Sequence, residues 1–233
     1  MNACKDAASS LEQFAARRPG WCRLKHPAEE HRLADGTRVR IRPIAPHDLR
    51  MHWRFLCSLS LQTRYQRLLS PRALLPGELR RLVDIDYERE MALVAVAEID
   101  GDEQELGVAR YVREPAGGAT GRLADVAEFA IVVADAWQQR GVGRVLLQRL
   151  HHVAMDAGVR QLAGLTLATN TRMIRLARRL GFEISREHDD WTVKRVTWRQ
   201  ADSGEDTALS ASREPRDDPA AGAGTRARSI RAQ

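Results

Sequence analysis

No stretch of this 233-residue sequence is apolar for long enough to cross a bilayer; the longest runs, residues 91–97 and 129–134, are of strand length. The opening residues, MNACKDAASSLEQFAARRPG, lack the continuous apolar core of a secretory signal, so a cytoplasmic protein without a membrane partner is expected. Cysteine is scarce: Cys4, Cys22 and Cys57 are odd in number, widely spaced and form no CxxC pair. That excludes a disulfide framework and a cysteine-based zinc site. Cys57 sits in the apolar stretch WRFLCSLSL, where a cysteine reads as core filling rather than as a nucleophile. The seven histidines show no ligand spacing, so no metal is expected. Aromatic residues make up only 5% of the chain, and its formal charge of +6 is spread rather than gathered into a basic block with interleaved aromatics. A nucleic-acid partner is therefore not expected, whereas a diffuse positive field suits an anionic cofactor or an acidic protein partner. No internal repeat is present.

What the chain does have is a hydrophobic fraction of 43%, mostly Leu, Val and Ala, enough for one globular core. Residues 200–233, rich in small, polar and mixed-charge residues without apolar period, cannot bury enough surface to offset ordering entropy and read as a disordered tail. Residues 1–32 read as weakly ordered, with one short helix around 11–17, which leaves a domain over 33–199. Within it, an Asp-Gly turn and the alternation of Val39 and Ile41 predict an opening strand. Helical stretches are predicted over 46–59 and 76–84. MALVAVAEI and ELGVARYVR flank Asp100-Gly101-Asp102 as a hairpin, and VAEFAIVV at 126–133 is a further strand. Apolar residues at 142, 145, 146, 150, 153, 154 and 157 line one face of a helix that Gly158 stops. A strand at 161–168 follows, then a helix capped by Asn170 and ended by Gly181, then two closing strands. The order is strand, two helices, three strands, helix, strand, helix, two strands, which is a mixed α/β domain around one sheet.

The chemistry is concentrated in EFAIVVADAWQQRGVGRVLLQRL, residues 128–150. A strand ends, a short loop turns, and a segment holding Gly141 and Gly143 opens a long helix. Glycine lets the backbone approach a ligand closely, and the unpaired N–H groups of a first helical turn face an anion. Such a turn suits a phosphate or pyrophosphate; taken alone, it equally describes a loop that merely turns tightly. It is not a Walker loop, since no Gly-Lys-Ser/Thr follows, nor a GxGxxG fingerprint, since no third glycine follows Gly143.

Gln138-Gln139-Arg140-Gly141-Val142-Gly143 resembles the Q/R-x-x-G-x-G/A signature of the GCN5-related N-acetyltransferase (GNAT) superfamily, with a strand before it and Leu146-Leu147 after it. Asn170 and the pair Gly181-Phe182 fall where that family carries its N…GF landmark. The resemblance covers about residues 38–199. DGTRVRIRPIAPHDL, LSLQTRYQRLLSPR and VDIDYEREMALVAVA look like the bacterial Pat-like protein lysine acetyltransferases. The resemblance implies a single GNAT-like α/β domain with a mixed, mainly antiparallel, splayed sheet that holds acetyl-CoA between two strands. It implies that the backbone of Ile131, Val132 and Val133 pairs with the pantetheine arm and that the N–H groups from Gln138 to Arg144 (through Arg140, Gly141, Val142 and Gly143) wrap the pyrophosphate. Asn170 would contact the pantetheine, or serve only as a helix cap.

Direct acyl transfer needs a neutral amine, and a lysine is almost wholly charged at neutral pH, so a carboxylate near the acceptor has a clear task. Glu128 interrupts an apolar strand at the start of the segment that would hold the cofactor, where partial burial would raise its pKa. The Pat-like branch carries its proposed base at the matching position. The competing readings are a glutamate on a wet strand edge or in a salt bridge, and Asp125 as the base. Many family members place a Tyr four residues before the Gly-Phe pair as the acid for the leaving thiolate; this chain has Ala177 there. The expected function is acetyl transfer to a protein lysine. A small-amine acetyltransferase and a non-catalytic acyl-CoA sensor are the alternatives, and the flanks are too short for a nucleotide-regulatory domain.

Overall fold

The computed structural model describes residues 26–68, 76–116, 123–188 and 190–201. The helix expected near 11–17 and the tail from 202 lie outside the described residues. Eight strands form one sheet in the order β1-β2-β3-β4-β5-β6-β8-β7. They are β1 (Glu29–Arg32), β2 (Arg38–Pro43), β3 (Glu90–Ile99), β4 (Asp102–Pro115), β5 (Leu123–Val133), β6 (Gln161–Leu167), β7 (Glu183–Arg186) and β8 (Val193–Arg199). The helices are α1 (Leu49–Ser58), α2 (Leu61–Leu68), α3 (Pro76–Val83), α4 (Val142–Asp156) and α5 (Thr171–Arg179), with 3-10 turns at Pro46–Asp48 and Asp135–Trp137. Two elements exceed the sequence reading. Strand β1 lies inside the stretch expected to be weakly ordered, and α2 is a third helix before the hairpin.

The sheet is buried on both faces. Leu93, Ala95, Ala109, Ala127 and Phe129 point to one side, where they pack with Val142, Leu146, Leu147 and Leu150 of α4. Ala92, Val94, Val96, Val108 and Val132 point to the other, against Leu49 and Phe55 of α1 and Leu79 and Val83 of α3. Two-sided burial explains why β3 reads as the unbroken apolar run MALVAVA rather than as an alternation. The β3–β4 hairpin closes through Asp100 and Gly101, both with positive φ (53° and 82°), as an Asp-Gly turn requires. A bulge opposite Ala95/Val96 inserts Leu106, which turns that residue toward the α4 side.

Every pairing is antiparallel except one. Strands β5 and β6 run parallel and stay in register over only Val126–Gln161, Ala127–Leu162 and Glu128–Ala163. Beyond Glu128 the two strands part. β5 remains paired to β4 as far as Val133, while β6 follows β8, so the remaining edge of β5 has no neighbouring strand. This fork positions the site.

Candidate active site

A cleft of about 950 Å³ opens where β5 and β6 separate. Its walls are β5 from Phe129 to Val133, the turn from Gln138 to Arg144, Gly164–Thr166 of β6, one side of α5, and Thr63, Gln66 and Arg67 of α2. On β5, main-chain groups of alternate residues face opposite edges. Ala134 N–H donates to Leu106 O of β4 at 2.8 Å, and Val133 C=O accepts from the Gln138 side chain at 3.2 Å on the other side. Alternation therefore directs the main-chain groups of Ile131 and Val133 into the cleft and those of Val132 toward β4. Of the three residues expected to pair with a ligand arm, Val132 is thus committed to the sheet.

The glycine turn has the expected form. Gly141 precedes α4 with φ +101°, and Gln139 also has positive φ at 64°. Among the described residues no hydrogen bond takes up the N–H groups of Gln139 through Gly143, and Gly141 supplies no side-chain cap. These donors and the positive end of a fifteen-residue helix are open to an anion. Gly143 has a packing role as well: a Cβ there would lie 3.3 Å from Leu176 Cδ2 and 3.6 Å from Val133 Cγ2. The Val142 side chain is fully buried in the core, so only its N–H is available to a ligand. Arg140 stacks on Trp137 at 4.9 Å and reaches Asp35 at 3.6 Å, while Arg144 bonds Gln148 at 3.3 Å. Arg172 and Arg175 of α5 also line the cleft, which gives it a positive lining suited to phosphates.

Asn170 caps α5, its Oδ1 accepting from Met173 N–H at 3.1 Å, and it also lines the cleft. Both readings of this residue remain compatible with its place. Ala177 is fully buried and carries no proton donor. Phe182, of the Gly-Phe landmark, packs its ring 5.4 Å from Phe129 at the fork.

Glu128 does not stand as expected. It is exposed rather than partly buried, and it lies just outside the cleft lining. The reason is register: Ala127 and Phe129 turn to the α4 side, which leaves Glu128 on the opposite face, past the end of the apolar layer under α1 and α3. It interacts electrostatically with Arg67 and Arg195.

Sequence reading missed a network that fastens α2 to the glycine turn. Asp135 accepts from Ser60 N–H (2.9 Å), Ser60 Oγ (2.8 Å) and Thr63 Oγ1 (2.7 Å). Gln138 Nε2 donates to Thr63 Oγ1 at 3.2 Å, and Gln138 Oε1 accepts from Arg172 at 2.8 Å. Burial acts to raise the Asp135 carboxyl, but the Ser60 and Thr63 donors outweigh it and hold it below the usual carboxylate range. These pairs are 34 to 75 residues apart in sequence, so no local pattern could show them.

The model of the acetyltransferase (GNAT) family matches residues 59–182, from the start of α2 to the Gly-Phe landmark. The chain belongs to the GNAT family of acetyltransferases. This GNAT chain is 36% identical over 161 residues to acetyltransferase PA5475 of Pseudomonas aeruginosa, covering 69% of its own length and 83% of that protein. It is 31% identical over 141 residues to acetyltransferase Pat of Mycolicibacterium smegmatis, covering 60% of itself and 40% of that longer relative. The solved GNAT domain of S. lividans PAT matches with a TM-score of 0.65 at 30% identity, over 79% of this chain and all of that one. The fold and the Pat-like resemblance read from the sequence agree with these relatives.

Proposed function

We propose that this acetyltransferase uses acetyl-CoA to acetylate lysine amines of proteins in the cytoplasm, with Glu128 as general base. Acetyl-CoA as co-substrate follows from family membership and fits the cleft: free N–H donors and arginines at one end suit a pyrophosphate, and an unpaired strand edge suits an extended arm. The pyrophosphate would lie on the N–H groups of Gln139 to Gly143, those of Gln138 and Arg144 being taken by Asp135 O and Gly141 O, and the arm would pair with Ile131 and Val133.

The observation that carries the protein acceptor is the openness of the face around Glu128. By register, Val126 and Glu128 of β5 share that face with Ala163 and Leu165 of β6. Val126 is 44% and Leu165 42% exposed, so apolar side chains flank the carboxylate on an open surface rather than a closed amine pocket. A lysine on a protein surface can reach such a carboxylate, and exposed apolar flanks suit a macromolecular partner. Its ammonium loses a proton to Glu128, directly or through one water, and the amine attacks the thioester carbonyl. Among the described residues no helix is long and apolar enough to cross a membrane, which fits action in the cytoplasm.

The test is CoA release from acetyl-CoA by the purified full chain, with acyl-CoA synthetases and a panel of small amines offered as acceptors. Glu128→Gln is expected to lower turnover at least 100-fold, the low end of the usual general-base contribution, while acetyl-CoA still binds. Turnover on small amines alone would replace the protein acceptor, and unchanged turnover in the variant would remove Glu128 from the mechanism.

A further inference from the structure

The cleft wall includes a cation, part-buried, that the reading above does not use. Arg67, on α2, lines the cleft with its side chain half-buried. Among the described residues its guanidinium enters no hydrogen bond or ion pair. Its electrostatic neighbours are Arg110 and Glu128. These two locate it: Glu128 is the last β5 residue paired with β6, and Arg110 stands opposite Ala130, two residues further along β5. The guanidinium is thus part of the cleft wall and within electrostatic reach of residues on either side of the fork. Several other arginines along the cleft are engaged, Arg140 by Asp35 and Trp137 and Arg172 by Gln138, while Arg179 is exposed to solvent.

Such a placement is unfavourable for the protein alone. Burial first, and the like charge of Arg110 second, bring the Arg67 pKa down to about 10 against the attraction of Glu128. Arg110 is itself strained for partners, since its Nε is buried without one and its Nη2 reaches Glu90 only at 3.4 Å. A protonated, partly desolvated donor that no carboxylate of the described residues hydrogen-bonds is suited to a negative charge that arrives or develops there. Main-chain groups of β5 face the cleft from Val133 back to Phe129, a run of about 13 Å at ~3.3 Å per residue. An extended arm that pairs with this edge, its pyrophosphate at the glycine turn, places its far end at the fork.

We propose that Arg67 is the catalytic group that holds the negative charge of the departing CoA sulfur, in the role left without a proton donor by Ala177. The inference rests on the acetyl-CoA reading above. The neutral amine nitrogen forms the C–N bond at the thioester carbonyl, whose π pair moves to oxygen. Return of that pair breaks the C–S bond, and the bonding electrons remain on sulfur as thiolate. The proton that the nitrogen sheds after attack passes to water, since Glu128 already holds the one taken from the ammonium. Arg67 donates hydrogen bonds to the sulfur and keeps its proton; the thiolate is protonated by water after release.

The experiment needs no acceptor. Binding of CoA and of desulfo-CoA to the full chain is measured by calorimetry between pH 6 and 9, and the bound thiol is titrated by its thiolate absorbance. A free thiol titrates near 8.5, and a thiolate-holding site is expected to lower that by at least one unit, with CoA preferred over desulfo-CoA about tenfold at high pH. Arg67→Gln is expected to return the thiol to near 8.5 and abolish the preference while desulfo-CoA affinity stays within twofold; Arg67→Lys retains part of the shift. An unshifted thiol in the wild type, the same shift in Arg67→Gln, or loss of desulfo-CoA binding in that variant each overturns the proposal. Failure of the wild type to bind either ligand overturns the acetyl-CoA reading itself, whereas binding with an unaltered titration overturns only the role of Arg67.

Discussion

Gly141 and Gly143 belong to one short motif, yet they act differently. Gly141 is required by conformation: φ is +101°, a region that costs an L-residue roughly 1–2 kcal/mol, while space for a side chain exists, with Leu33 Cδ2 at 3.7 Å. Gly143 has an ordinary backbone, and a Cβ there would sit 3.3 Å from Leu176 Cδ2, so that side chain would have to give by a few tenths of an ångström. Gly141→Ala is therefore expected to lower stability by about 1–2 kcal/mol in thermal unfolding and to weaken acetyl-CoA binding, because the turn must shift to relieve the strain. A variant with unaltered melting temperature and affinity would show that the turn tolerates the conformation. Glu128 illustrates the opposite limit of residue-scale reading. Its place in an apolar strand singled it out, but period-2 alternation meant that an inward Ala127 and Phe129 had to leave it outward.

At the scale of elements, α2 depends on polar contacts rather than on a deep apolar face; Leu61 is 79% exposed and Tyr65 44%. Asp135 fixes its first turn by accepting from Ser60 and Thr63, and this ties the helix that carries Arg67 to the segment that carries the glycine turn. The Asp135 carboxyl is depressed in the folded protein, so its contribution to stability is present above the unfolded value near 3.9 and is lost as pH falls through the lower folded value. Asp135→Ala is expected to melt below the wild type at pH 5 to 7 by scanning calorimetry, with the gap closing below about pH 4. Equal melting temperatures at neutral pH would mean that these bonds do not hold α2. Helix α5 is simpler: an Asn170 side-chain cap at one end and Gly181, with φ +81°, just past the other delimit it as the sequence predicts.

At the scale of the whole molecule, a sheet covered on both faces carries a polar device at its β2–β4 end. Arg42, 11% exposed, makes two bonds of 2.7 and 2.8 Å to Asp48 and one of 2.8 Å to Glu103. Burial alone would lower the Arg42 pKa, but Asp48 and then Glu103 hold it above its ordinary value. Asp48 also accepts from Ala45 N–H at 2.8 Å, which joins the turn before α1 to β2. Asp48→Ala leaves a buried guanidinium short of its principal partner, and a loss of about 3 kcal/mol in denaturant unfolding is expected, with acetyl-CoA affinity preserved because the cleft lies elsewhere in the sheet. A loss below about 1 kcal/mol would show that Glu103 alone suffices.

The sequence by itself determined most elements and the glycine turn, because their causes are local: Asp-Gly at 100–101, the helical spacing of Val142, Leu146, Leu150 and Val153, the cap at Asn170 and the stop at Gly181. It also carried enough of the family's landmarks, in order, to identify the GNAT fold. Helix α2 escaped notice because its apolar stripe is thin. The tertiary structure alone decided where β5 and β6 part, that the main-chain groups of Val132 face β4, that Asp135 and Gln138 bind α2, and that Arg67 lines the cleft within electrostatic reach of Glu128. Those facts depend on the register between strands and on contacts between residues tens of positions apart, and no short-range pattern encodes either.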